Sequence, residues 1–257
     1  MSKMTNRNWL SKALNAARNL LFPPACVGCG ELLEAFAQTP AVFCPLCRAA
    51  WETAVTEAVP QSAQDAARGL VYLTFYHSGR TDGIPERLIY HIKHRGDRRT
   101  FDFVAERLSP RLLHAAATLP TRAPEGEAKP LLFTNPPRRR SAVSRDGFDQ
   151  AKELTKALSA ACKGDFAPLI RRTRRGSAEQ KTLDAEGRAA NAASAYILSH
   201  KTAEAVRDRT VVVCDDLCTT GATLNRCATL LVEAGARSVI LCTVVRTDSH
   251  GGGKRDT

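Results

Sequence analysis

The segment Val211-Val-Val-Cys-Asp-Asp-Leu-Cys-Thr-Thr-Gly-Ala-Thr223 constrains this chain more than any other stretch. Three valines in succession predict a buried strand, because β-branched side chains suit a sheet covered on both faces. Two adjacent carboxylates, Asp215 and Asp216, then emerge at the C-terminal edge, where ligands bind in a doubly wound sheet. Burying them side by side is costly unless cations or hydroxyl donors meet them. Thr219, Thr220, Gly221, Ala222 and Thr223 follow at once and open the next helix. Successive backbone N–H groups, a glycine allowing close approach, three hydroxyls and the helix dipole make an anion cradle. Thr-Thr-Gly alone would be ordinary cap chemistry. The contiguous unit of apolar strand, paired Asp, threonine loop and amphipathic helix points instead to a ligand with a monophosphate at one end and hydroxyls at the other. A ribose 5-phosphate satisfies both. No Lys follows Gly221, which excludes a Walker A loop.

Around this unit the chain alternates between strand-like and helix-like stretches. Leu70 to Tyr76 is a β-type run, and helices are expected near Pro85–His94 and Phe101–Ala117. The Pro-, Gly- and charge-rich stretch from Thr118 to Pro130 marks a surface linker. Leu131–Thr134 reads as a buried strand, followed by a Pro-rich loop and a helix with Phe148, Ala151, Leu154, Leu158 and Ala161 on one side. Leu169-Ile170 and Tyr196–Leu198 are weaker strand candidates. Thr210–Val213 is a strong one, its following helix stops at Gly235, and Ser238–Val245 is a further buried strand. Strands alternating with helices predict an α/β fold, a mostly parallel sheet flanked by helices. Three parts are expected: residues 1–60, a short amphipathic helix and a cysteine module; residues 61–248, the α/β domain; and a disordered tail at 249–257.

Cys26-Val-Gly-Cys29 and Cys44-Pro-Leu-Cys47 are two Cys-x-x-Cys knuckles. Two residues between thiolates let both sulfurs bind one ion, so four complete a closed tetrahedral Zn²⁺ site with no position open for catalysis. Redox dithiols and an iron–sulfur cluster are the alternatives. The other five of the nine cysteines are scattered, and an odd count without a secretory signal fits a reducing cytoplasm. No apolar run approaches the roughly 18 residues that cross a bilayer, so no membrane insertion is expected.

The formal net charge is +11, unevenly spread. Between Arg138 and Arg175 stand 11 Lys/Arg against 4 Asp/Glu, an excess that attracts polyanions such as pyrophosphate, nucleotides or nucleic acid.

The Val211–Thr223 segment resembles the motif with which type I phosphoribosyltransferases bind 5-phosphoribosyl-1-pyrophosphate (PRPP). The wider chain resembles the ComF family (competence protein F, amidophosphoribosyltransferase-like). The cysteine pairs carry that resemblance, with Leu88-Ile-Tyr-His-Ile-Lys-His-Arg-Gly-Asp97, Arg145-Asp-Gly-Phe-Asp-Gln150, Gln180 and Arg188-Ala-Ala-Asn191. It implies the type I phosphoribosyltransferase fold with a small N-terminal zinc-binding module. It implies that Asp215 and Asp216 hold the ribose hydroxyls with Mg²⁺ nearby, and that Thr219 to Thr223 hold the 5-phosphate. Asn135-Pro136-Pro137-Arg138 falls where such enzymes have a pyrophosphate loop, and Arg171–Arg188 where they have a mobile loop. Three departures stand out. Cys218 replaces an aliphatic residue, Arg-Gly-Phe-Asn-Gln reads Arg145-Asp-Gly-Phe-Asp-Gln150, and Val-Pro-Val-Pro reads Thr134-Asn-Pro-Pro137.

Such a site can displace pyrophosphate from C1 of the ribose by a nitrogen nucleophile, with Arg138, Arg139 and Lys181 as candidate donors to the leaving group. The alternative implied by the resemblance is a DNA-handling protein of natural transformation. Its knuckles and basic belt would then serve single-stranded DNA, with PRPP binding regulatory or vestigial. The residues fix neither the acceptor nor the oligomeric state.

Overall fold

The computed structural model describes residues 23–33, 41–58, 69–119, 129–173, 195–200 and 202–247. The helix expected at the N-terminus, Gln180, Lys181, the Arg188–Asn191 segment and the tail lie outside these residues.

A six-stranded sheet forms the centre. Its strands are β1 (Leu70–Val71), β2 (Thr74–Tyr76), β3 (Leu132–Thr134), β4 (Asp165–Phe166), β7 (Thr210–Cys218) and β8 (Ser238–Thr247). The order is β1-β8-β7-β3-β4, with β2 also on β8, and every pairing is parallel. The α/β expectation therefore holds. Parallel neighbours need crossover connections. Helix α5 (Gln150–Ala161) lies between β3 and β4, and α7 (Ala222–Glu233) between β7 and β8. β3 thus crosses toward one edge of the sheet and β7 toward the other. Their adjacent C-terminal ends form the switch point at which an open α/β sheet leaves a crevice.

Both faces are covered. On one lie α1 (Pro45–Glu57), α2 (Ile84–His94), α3 (Arg98–Thr118) and α5, packed on Val212, Cys214, Ile240, Cys242 and Val244. On the other, α7 covers Val211, Val213 and Leu241 with Leu224, Cys227 and Leu231. The helices start where local chemistry stops the preceding chain. Asp97 accepts from the Thr100 N–H at 2.7 Å to cap α3, and Asp149 from the Lys152 N–H at 3.2 Å to cap α5.

Several local features differ from the sequence-based expectation, among them helix α1 and strand β4, which were not anticipated. The run from Leu70 to Tyr76 is two short strands, because the carbonyls of Tyr72 and Leu73 turn to the Arg111 guanidinium at 2.5 and 3.2 Å. β7 does not end at Val213 but continues through both aspartates to Cys218, since β8 pairs with it as far as Cys218↔Arg246. The weak candidates became β5 (Ile170–Arg172) and β6 (Tyr196–Leu198), an antiparallel pair outside the main sheet. Helices α4 (Arg140–Asp146) and α6 (Thr202–Val206), too short for a visible periodicity, were not anticipated.

The cysteine segment shares a core with the α/β domain. Phe43 stacks on Trp51 at 5.8 Å and meets Phe103 of α3 edge-on at 5.4 Å. Arg99 of α3 donates to the carbonyls of Ala41 (2.8 Å) and Ala25 (3.1 Å), and Arg87 of α2 to that of Gly28.

Candidate functional site

The two aspartates follow each other in β7, so their side chains leave opposite faces of the sheet. Asp216 points to the α5 side, where the Gln150 carboxamide donates to it at 3.2 Å. It is only 5% exposed. Asp215 is half-buried on the side of β6 and α7, and accepts from the Asp216 backbone N–H at 2.9 Å. Burial first, and the neighbouring Asp216 second, push the Asp215 carboxyl up to about 8, opposed by the positive charge of Lys93. The pair therefore lacks positive charge for two ionised carboxylates. A divalent cation or a run of sugar hydroxyls would supply what the protein does not, so the donor set fits Mg²⁺ carried with a sugar diphosphate.

Immediately beyond β7, Gly221 adopts φ 75°, a left-handed conformation that a side chain would strain. This turn opens α7: the Ala222 N–H donates to the Thr220 hydroxyl at 3.3 Å, and Thr219, Thr220 and Ala222 are exposed. Thr223 sits half-buried in the first helical turn. A small cleft runs beside the loop, lined by Thr219, Thr220, Gly221, Asn225 and Arg246. The five loop residues read from the sequence are thus brought together beside Asp215 and Asp216.

The loop after β3 lies at the adjoining strand end. Asn135 and Pro136 are buried, and Thr134 accepts from the Leu169 N–H at 3.2 Å, tying the loop to the segment before β5. Arg138 does not reach out as a free donor. Its guanidinium bonds Asp146 at 2.8 Å and the Phe148 carbonyl at 3.3 Å. Arg145, then Arg138, hold the Asp146 carboxyl down at about 2. Lys181 lies outside the described residues, and Arg139, the residue before α4, has its side chain half-buried.

Reading the sequence alone missed Gln150, Lys93 and Tyr196 as site residues. Gln150 and Lys93 stand in segments singled out for other reasons. Gly96 backs on the Phe148 ring so closely that a Cβ would lie 2.2 Å from it. In that way the α2–α3 turn and the segment that delivers Gln150 are locked together. Tyr196 could not have been found, because only the β5–β6 pairing brings it over α7.

The four knuckle cysteines converge, their sulfurs all within 4.8 Å of one another. The Cys44 N–H donates to the Cys26 sulfur at 3.2 Å, and a Cβ on Gly28 would lie 2.6 Å from the Cys47 sulfur. Burial opposes ionisation of Cys26, but the backbone N–H groups of Cys44, Cys29 and Gly28 outweigh it and bring the thiol down to about 7. Burial and the neighbouring thiols push Cys47 far up. Four thiols so crowded cannot ionise together without a cation, which fits a tetrahedral metal such as Zn²⁺.

Comparison with known proteins bears on the α/β part. No curated protein sequence matches the chain. Among solved structures, the glutamine PRPP amidotransferase from B. subtilis, complexed with ADP and GMP, superposes with a TM-score of 0.37 at 14% identity. The match covers 60% of this chain and 30% of the amidotransferase, so this chain spans less than a third of that enzyme. The hypoxanthine phosphoribosyltransferase from Staphylococcus aureus gives 0.34 at 12% identity over 58% of this chain and 65% of its own. That from Trypanosoma cruzi, solved as a ternary substrates complex, gives 0.34 at 12% over 61% and 72%. Residues 142–257, which carry Gln150, Tyr196, both aspartates and the threonine loop, match the phosphoribosyl transferase domain family.

Proposed function

We propose that this chain binds PRPP together with Mg²⁺ at the switch point and transfers its phosphoribosyl group to a nitrogen nucleophile. One observation carries the reading. At the C-terminal ends of β3 and β7, an under-neutralised carboxylate pair adjoins a glycine–threonine loop at a helix N-terminus. The match of residues 142–257 to the phosphoribosyl transferase domain supports it independently.

The threonine loop and the first N–H groups of α7 receive the 5-phosphate, where the helix dipole favours an anion. Asp215 and Asp216 accept from the ribose hydroxyls and orient C1. Gln150 keeps Asp216 turned inward, and Lys93 supports the charge of Asp215. Asp215 and Asp216 would lie beside a Mg²⁺ bound with the substrate, which would supply positive charge to the pyrophosphate as it leaves C1 with the C1–O electrons. The loop after β3 lies on the pyrophosphate side. There Arg139 is the better candidate donor, because Arg138 is already paired with Asp146.

Calorimetry with Mg²⁺-PRPP tests the site. The parent should bind, and the Asp215→Asn/Asp216→Asn double variant should lose at least about a hundredfold, since hydrogen bonds to charged groups contribute about 1.5–3 kcal/mol each. Undiminished binding by the double variant would refute the assignment. Pyrophosphate release measured with a panel of amines, ammonia and nucleobases then identifies the acceptor. Binding without release across the panel would refute transfer to a nitrogen nucleophile.

The four-thiol cluster, by the same reasoning, holds one structural Zn²⁺. Through Arg87 and Arg99 it braces α2 and α3 rather than reaching the reacting atoms.

A further inference from the structure

Thr243 interrupts the apolar run of Ile240, Leu241, Cys242, Val244 and Val245 in β8. It is wholly buried, and its hydroxyl has no hydrogen-bond partner among the described residues. β8 pairs Thr243 with Asp215 of β7, and two residues earlier it pairs Leu241 with Val213. Leu241 and Val213 both lie in the core beneath α7. Side chains alternate along a strand, and directly paired residues of a parallel sheet share a face. Thr243 therefore stands beside Asp215 on the α7 side, on a strand about 4.7–4.9 Å away.

A buried hydroxyl without a partner is unfavourable, and valine would fill the same space without that penalty. Packing alone therefore does not account for the hydroxyl. Asp215 offers the complementary group. One of its oxygens accepts from the Asp216 N–H at 2.9 Å, and an ionised carboxylate has lone pairs for several more donors. On the opposite face of β7, Asp216 accepts from the Gln150 carboxamide at 3.2 Å. The Thr243 hydroxyl is the corresponding donor for Asp215 on its own face. Rotation about χ1 moves that hydroxyl between staggered positions while the backbone stays in register.

We propose that Thr243 is a positioning residue for the sugar: when the site fills, its hydroxyl turns to donate to Asp215 and holds that carboxylate in the orientation that accepts from the ribose hydroxyls. Thr243 acts through Asp215 and does not touch the ligand. The role rests on the reading that Asp215 accepts from the ribose of a sugar 5-phosphate. It deepens that reading by naming the core group that fixes the carboxylate. In the ligand-free protein the hydroxyl is unpaired, so its contribution appears only on binding. The Thr219–Thr223 loop that receives the phosphate lies beyond β7, so Thr243 serves the sugar end of the ligand and not the phosphate end.

The experiment is calorimetry of the full chain with ribose 5-phosphate and, separately, inorganic phosphate, with thermal melting of the ligand-free protein alongside. Thr243→Val keeps the shape of the side chain and removes the hydroxyl. Ribose 5-phosphate affinity should fall about tenfold, the size of one hydrogen bond to a charged group, while inorganic phosphate affinity stays unchanged. The ligand-free variant should melt no earlier than the parent, because it has lost no bond. Thr243→Ser restores the hydroxyl and should bind ribose 5-phosphate as the parent does. Undiminished ribose 5-phosphate binding by Thr243→Val would overturn the role of Thr243 while leaving the site standing. Equal loss for both ligands, or earlier melting of Thr243→Val, would overturn it too, by making Thr243 a residue of the fold alone. If Thr243→Val does not fold, Thr243→Ala is compared with Thr243→Ser: weaker ribose 5-phosphate binding by the alanine variant supports the role, and equal binding overturns it. Failure of the parent to bind ribose 5-phosphate overturns both the role and the reading on which it rests.

Discussion

Replacing Asp215 by Asn should stabilise the ligand-free protein while abolishing its ligand binding. The Asp215 carboxyl is raised to about 8, by burial first and by Asp216 second, against an ordinary value of 3.8. A carboxyl whose folded value exceeds its unfolded one contributes stability that is fully present below the unfolded value and is lost as pH rises through the folded one. One such group costs at most about 1.4 kcal/mol per pH unit between about 4 and 8. Part of that shift comes from the neighbouring Asp216 charge, and a total of about 2–4 kcal/mol by pH 8 is reasonable at an effective dielectric near 20. The assay is urea denaturation of zinc-loaded parent and Asp215→Asn from pH 4.5 to 8.5, without PRPP. The parent's stability should fall relative to the variant's as pH rises, with the two closest at acid pH. Saturating Mg²⁺-PRPP should reverse the order, stabilising only the parent by mass action. Parallel pH profiles would refute the argument that the carboxylate pair is short of positive charge.

Gln150→Leu removes the carboxamide that donates to Asp216, and should weaken Mg²⁺-PRPP binding about tenfold or more. Restored affinity in Gln150→Asn would show the bond to be insensitive to reach, against the 3.2 Å geometry; calorimetry reads both. Metal analysis should find one Zn²⁺ per parent chain and none in Cys44→Ser. That variant should also melt earlier, because Phe43 beside the cluster packs on Trp51 and Phe103. Four free thiols in metal-free parent protein would defeat the zinc reading.

Local chemistry made much of this protein legible before its structure. The three valines, the paired aspartates and Thr-Thr-Gly sit within one strand–loop–helix, so periodicity and residue type alone located the loop and the carboxylates. The same holds for the knuckles, where short spacing leaves the sulfurs little choice but to converge. Chain order could not say that Asp215 and Asp216 face opposite layers, one held by Gln150 and the other facing Tyr196. That depends on which helix covers which face of β7. Nor could it show that Arg138, a plausible anion ligand by position, is spent on Asp146 eight residues away. Gly96 against Phe148 and Arg172 against Tyr196 are contacts between distant segments. They form only when burial of apolar surface on both sides of the sheet has paid for bringing the chain together. Residue type settles which chemical groups gather at the end of β7; packing settles which of them can still meet a ligand, because a charge or hydrogen already satisfied within the protein has nothing left to offer.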